Sequence, residues 1–125
     1  TLFEPAPSAD NKGREYERLP KGEVISLRLE AGAQVEVLLS KHICKLIAGE
    51  LLKFVDQAGR QYELRKGRNI IGRDTISNIM IDPSLRDVSR LHLVIEKIDE
   101  RHVSLTDMSS HGTYLPNKYL SQKHG

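Results

Sequence analysis

The feature that most constrains this chain is a series of short apolar runs at a period of two, each closed by a turn signal. Leu51 to Val55 is apolar, and Asp56-Gln57-Ala58-Gly59 turns the chain after it. Gln61 to Leu64 sets Tyr62 and Leu64 on one face before the basic turn Arg65-Lys66-Gly67-Arg68. Asn69-Ile70-Ile71 runs into Gly72-Arg73, and Asn78 to Asp82 points Ile79 and Ile81 inward until Pro83 stops it. Leu91, Leu93 and Ile95 alternate with His92, Val94 and Glu96, Asp99-Glu100 turns, and His102 to Thr106 carries Val103 and Leu105 inward. Gly112 to Leu115 is followed by a turn at Pro116-Asn117 and a last strand, Lys118-Tyr119-Leu120. Alternation at period two is the signature of half-buried strands, and many of them at short spacing predict an all-β sandwich.

The N-terminal part divides in two. Thr1 to Arg18 is rich in Pro, Asp, Glu, Lys, Asn and Gly and reads as a flexible linker or tail. From Leu19 the pattern changes. Ile25, Leu27 and Leu29 lie on one side of a strand, Glu30-Ala31-Gly32 turns, and Gln34 to Leu39 reads as a strand again. Val35, Leu38, Leu39, Ile43, Leu46 and Ile47 also fit one helical face with Gly49 as its stop, so a helix through Ala48 is an open alternative. His42 would share that face, as a packed or partly solvated residue. The expected division is a tail over 1–18, a β extension or closing hairpin with an optional short helix over 19–50, and the main domain over 51–125.

With 125 residues, 38% of them hydrophobic, the chain has room for one domain with a real core. No apolar run approaches the roughly 20 residues of a membrane span. Pro5, Pro7 and Asp10 interrupt the apolar core that a signal peptide would need. The single cysteine, Cys44, excludes an internal disulfide and a cysteine-cluster metal site, and fits a reduced, cytoplasmic setting. No metal or other cofactor is expected. A net charge of +2, with Lys and Arg spread widely, is too weak for a nucleic-acid footprint. Arg60, Arg65, Lys66, Arg68 and Arg73 form a local basic run with few aromatics for base stacking, and read instead as a field that draws in anions.

Three turn-like islands carry the chemistry: Gly72-Arg73, Ser89-Arg90-Leu91-His92 and Ser109-Ser110-His111-Gly112-Thr113. Arg73, after a flexible glycine at a strand end, can offer two parallel N–H donors to a phosphate; the plainer reading is a salt bridge to Asp74 or Asp87. Ser89 can donate its hydroxyl to a phosphate oxygen, or bond its own turn. Arg90 adds a second cation, or is simply solvated. Asp87 would repel an acidic ligand group and so shape specificity. His92 reads as an imidazole that pins loops through hydrogen bonds, with a general base as the alternative. The third island is a grip for phosphate or peptide backbone, or a Ser-rich loop that satisfies itself. Catalysis is not expected. Ser89 and His92, three apart at a strand entry, do not face each other as nucleophile and base should, even with Asp107 as a third member, and neither a nucleophile elbow nor a Gly-x-x-x-x-Gly-Lys loop is present.

In order and spacing, the islands resemble the signature of the forkhead-associated (FHA) domain family. That signature is Gly-Arg, then Ser-x-x-His, then an Asp-x-x-Ser-x-Gly-Thr-like block. Here the pieces are Gly72-Arg73, Ser89-Arg90-Leu91-His92 and Asp107-Met108-Ser109-Ser110-His111-Gly112-Thr113, and the resemblance covers about Leu51 to Leu120. It implies a β-sandwich of about eleven strands whose loops at one end bind phosphothreonine peptides. Carried over, Arg73, Ser89 and Arg90 would face the phosphate and Ser110 would reach toward the phosphothreonine. His111 would stand where an Asn usually holds the peptide main chain. Gly72, His92 and Gly112 would be architectural. A small pocket for the γ-methyl group would select Thr over Ser, with transfer of one methyl supplying about 0.8 kcal/mol and steric fit the rest.

Two departures qualify the resemblance. An imidazole at His111 can donate and accept but lacks the paired geometry of an amide. The family also closes its sandwich with two further strands after the position of Leu120. Leu19 to Leu27 with Gly32 to Val37 looks like that closing hairpin, supplied in permuted order within one chain or exchanged between two chains in a homodimer. The expected function is a phosphothreonine-peptide module; the alternative is a phosphate-independent scaffold or oligomerisation domain on the same fold.

Overall fold

The computed structural model describes residues 16–120. Within them, eleven strands form two sheets, followed by one short helical turn. One sheet has six strands in the order β1 (Tyr16–Arg18), β11 (Thr113–Pro116), β3 (Gln34–Leu39), β4 (His42–Ala48), β5 (Leu52–Val55) and β6 (Gln61–Glu63). The other has five, in the order β2 (Val24–Arg28), β10 (His102–Asp107), β9 (Leu93–Asp99), β7 (Gly67–Gly72) and β8 (Ile79–Met80). All neighbours are antiparallel except the short parallel pair β7–β8.

Period-two alternation places one set of side chains from each sheet into a shared core. Val35, Val37 and Leu39 of β3 are buried, as are Cys44, Leu46 and Ala48 of β4. Facing them are Ile25 and Leu27, Ile71, Leu93 and Ile95, and Val103 and Leu105 from the second sheet. Leu19 at one extreme and Leu115 at the other join the same cluster, so residues 24–48 and 67–116 build one core. Truncating one of these large side chains to Ala typically costs about 2–5 kcal/mol, because the cavity collapses only in part.

One open alternative is settled here and three expectations change. His42–Ala48 is a strand, not a helix: Ile43 stays 52% exposed while Cys44, Leu46 and Ala48 are buried, and β3 and β5 pair with it on either side. The two-residue turn Ser40-Lys41 makes this possible, with Ser40 at φ 58°. Residues 24–37 fill sheet positions within their own chain, but not as a hairpin. β2 pairs β10 in one sheet, while β3 lies between β11 and β4 in the other, so Glu30-Ala31-Gly32 crosses the sandwich. Tyr16–Arg18, read as the end of a tail, pairs with β11; residues 1–15 of that tail lie outside the described residues. Asn117–Leu120 is a helical turn rather than a strand, following Pro116, which lacks the N–H to extend a ladder.

The topology gathers the loops. Antiparallel pairing sets the ends of β7, β10, β3 and β1 beside the beginnings of β9, β11, β4 and β2. Hydrogen bonds from Gly22 N to Asp107 O, 2.9 Å, Leu19 N to Thr113 O, 2.8 Å, and Ser40 N to Gly112 O, 2.8 Å, tie that end of the sandwich together. All three islands fall there.

Candidate functional site

The first two islands are zipped along their backbones. Arg73 N donates to Ser89 O at 3.2 Å, Asp74 N to Arg90 O at 3.1 Å and His92 N to Ile71 O at 2.8 Å. The contact is so close that a Cβ on Gly72 would lie 1.9 Å from Arg90 O and 2.6 Å from Arg90 C. Gly72 is therefore needed for close approach, rather than for an unusual backbone shape as its sequence context implied; its φ is not in the left-handed region. The Arg73 side chain bends over the same loop, and its Nε donates to Val88 O.

His92 joins the second island to the third. Its ring is fully buried. Nδ1 accepts from Ser89 N at 3.0 Å, which leaves the ring proton on Nε2 to donate to Gly112 O at 2.8 Å. Burial holds its pKa below the usual histidine value, against a smaller opposing effect of the Gly112 bond and the Asp107 carboxylate. Both nitrogens are thus spent on main-chain groups, and neither reaches the Ser89 hydroxyl or Asp107. No relay of the hydrolase type is assembled.

The third island is organised by Asp107. Its Oδ1 accepts from Ser109 Oγ at 2.6 Å, Ser109 N at 3.1 Å and Thr113 Oγ1 at 2.9 Å, while Ser109 Oγ accepts from Gly112 N at 2.7 Å. Gly112 sits at φ 102°, where a side chain would be strained. Ser109 and Asp107 therefore shape the loop and leave Ser110 and His111 exposed at its tip. Ser110 N donates to Ser89 Oγ at 3.0 Å, the direct link between the two serine-bearing loops. The Ser89 hydroxyl still has its own proton to give.

Of the residues singled out from the sequence, Arg73, Ser89, Ser110, Gly72, His92 and Gly112 are connected by this network. Arg90 joins through its backbone, with its side chain exposed, and His111 sits next to Ser110 at the loop tip. Among the described residues, neither Arg73 nor Arg90 forms an ion pair, so the salt-bridge reading of Arg73 does not hold. Asp74 caps its own turn, accepting from Ile76 N at 3.0 Å. Asp87 is turned toward β4, where His42 Nε2 lies 2.9 Å from its Oδ1. The His42 bond holds the Asp87 carboxyl down at about 2. Among the described residues no group of three His, Cys, Asp or Glu could hold a metal ion, and no helix is long and apolar enough to cross a membrane.

Three contributors were not singled out in advance. Arg18, assigned to the tail, extends its side chain past Gly112, and Nη2 lies 3.5 Å from Ser110 O. His42 braces the 82–92 loop through Asp87. The Ser40-Lys41 turn abuts Gly112. Each depends on strand pairing across more than 40 residues of chain, which local pattern does not reveal.

Residues 69–124 match a family model described as FHA domain. No curated protein and no solved structure matches the chain. The matched span is 56 of the 125 residues and holds all three islands, and over it the chain is similar to the FHA domain family.

Proposed function

We propose that this chain is a non-catalytic module that binds phosphothreonine peptides and so mediates phosphorylation-dependent protein–protein interaction. FHA domains are in general phosphopeptide-binding interaction modules, which supports the class of ligand. Arg73, Ser89, Arg90 and Ser110 are the residues for the phosphate. Two guanidinium groups with no carboxylate partner among the described residues suit a group carrying about −1.5 to −2 charge. His111 serves the peptide main chain, and Gly72, His92 and Gly112 keep the loops in place.

The observation that carries this reading is the bond from Ser110 N to Ser89 Oγ, 3.0 Å, beside the Arg73–Ser89 backbone contact: residues from three distant parts of the chain become neighbours. The test is a calorimetric titration with one peptide in phosphothreonine, phosphoserine and unmodified forms. Binding should require the phosphate, and the phosphothreonine form should bind at least about fourfold tighter than phosphoserine, the share one buried methyl supplies. Equal binding of modified and unmodified peptides would refute the proposal. His111 in the place of Asn favours a second reading, a phosphate-independent scaffold on this fold, and the same titration decides between them.

A further inference from the structure

The outer face of the five-stranded sheet carries a row of side chains that no charge interrupts. Strand register sets Val24, Thr106, Val94 and Ile70 side by side across β2, β10, β9 and β7. Their neighbours along the strands, Ile25, Leu105, Leu93 and Ile71, are buried, so the row points outward. Val24 is 65% exposed and the other three are half-buried. Toward the loops the same face adds the exposed Met108 and Met80, which follow the buried Asp107 and Ile79. On the other sheet each outward row that crosses β4 and β5 carries a lysine, Lys45 beside Val55 or Lys53 beside Ile47. Away from the loops, the row next to Val94 and Ile70 holds Glu96 on β9 directly across from Arg68 on β7. Both are exposed, and among the described residues neither forms an ion pair.

Covering the apolar row is favourable, and the two charges beside it restrict what can cover it. Two copies can lay this face on each other about a two-fold axis. With the axis along the strands, midway between β9 and β7, Glu96 lies over the partner's Arg68 and Val94 over the partner's Ile70. An axis over β9, or one across the strands along the charged row, sets Glu96 on the partner's Glu96. An axis across the strands between the two rows covers both charges with apolar side chains, at a desolvation cost. The first arrangement alone gives each charge its opposite, and it is the aligned packing usual for stacked sheets. Four strands and three rows span roughly 19 Å by 20 Å, about 400 Å² in plan per copy, the size of a weak interface.

We infer that the chain pairs with a second copy of itself through the outer face of the five-stranded sheet, as a weak two-fold dimer. Val94 and Ile70 make its centre, and the reciprocal Glu96–Arg68 pairs fix its register. Because the axis runs along the strands, the loops of both copies come to the same end. Sheets stack about 10 Å apart, so the two sets of islands lie roughly 20 Å from each other. A partner carrying two phosphothreonines is then held by both copies at once, with a gain from avidity. That consequence, unlike the pairing, rests on the phosphopeptide reading above.

The test is sedimentation velocity over about 5–500 µM with the wild-type chain, Glu96→Arg and Arg68→Glu. Both substitutions are at exposed positions outside the residues assigned to the phosphate, and circular dichroism melts verify that each variant folds. The wild type should dimerise with a dissociation constant of about 10–100 µM, weakened at least about tenfold in each variant. An equimolar mixture of the two variants should dimerise again, since every charge across the face then meets its opposite. A wild type that stays monomeric, a dimer that neither variant weakens, or a mixture that stays monomeric overturns the pairing. At concentrations where the dimer forms, a peptide with two phosphothreonines about eight residues apart should bind the wild type at least about tenfold tighter than its singly phosphorylated forms. Glu96→Arg should lose that gain. Dimerisation without the gain overturns the shared end. Dimerisation without any phosphate-dependent binding overturns the phosphopeptide reading and leaves the pairing standing.

Discussion

Gly72→Ala is the sharpest test of how the first two islands meet. The added Cβ would lie 1.9 Å from Arg90 O, whereas ordinary contact begins near 3.4 Å, so the segments must part by about 1.5 Å. The atoms in the way are backbone, not the far end of a flexible side chain, so no rotamer change relieves the clash. Parting by that distance breaks the bonds Arg73 N to Ser89 O, 3.2 Å, and Asp74 N to Arg90 O, 3.1 Å. Each lost bond costs about 1 kcal/mol, and overpacking adds about 1–3 kcal/mol. A loss of about 4 kcal/mol is expected, a large share of the roughly 5–15 kcal/mol that holds a domain together. Urea denaturation should show a lower midpoint at unchanged slope. A variant within about 0.5 kcal/mol of the wild type would refute the claim that Gly72 is there for close approach.

Other outcomes follow from the same network. Arg73→Ala should weaken phosphothreonine-peptide affinity by about 10- to 100-fold, the scale of a charge-assisted bond, and should also lower the melting temperature, because Val88 O loses the Arg73 Nε donor. His92→Ala should destabilise the fold by about 2–3 kcal/mol, since Ser89 N loses its buried acceptor while Gly112 O keeps the Ser40 bond. Because burial lowers the His92 pKa in the folded state, the unfolded chain binds the proton first as pH falls; stability should be complete above about 6.5 and decline below it, and this decline should be missing in His92→Gln. Cys44, buried and with its pKa pushed up to about 12, should resist thiol reagents at neutral pH until the chain is unfolded in denaturant.

The sandwich was legible where burial follows local alternation. Ile25 and Leu27, Leu93 and Ile95, and Val103 and Leu105 alternate in the sequence and fill the core in the fold. Where alternation was ambiguous, pairing decided. Leu38, Ile43 and Ile47 fit a helical stripe in the sequence, yet they are the outward residues of β3 and β4, and the turn between those strands lacks the Gly or Asn that would have announced it. The crossing of Glu30-Ala31-Gly32 between sheets was hidden for a related reason. A turn sequence states that the chain reverses, not which sheet receives it. At the site, the spacing of Gly72-Arg73, Ser89 to His92 and Asp107 to Thr113 marked the islands, because each needs special residue types. Arg18 and His42 carry no such mark: an arginine on a polar strand or a histidine beside a turn looks the same whether solvated or engaged.

The most direct measurement is a two-dimensional amide NMR titration of the chain with a phosphothreonine peptide and its unmodified twin. The phosphorylated peptide alone should shift the amides of Arg73, Ser89, Arg90, Ser110 and His111 along one saturation curve, and Arg73→Ala should move the remaining shifts together to about 10- to 100-fold higher peptide concentration. Shifts confined to another face of the sandwich, or identical shifts with the unmodified peptide, would contradict a single anion site built from the three islands.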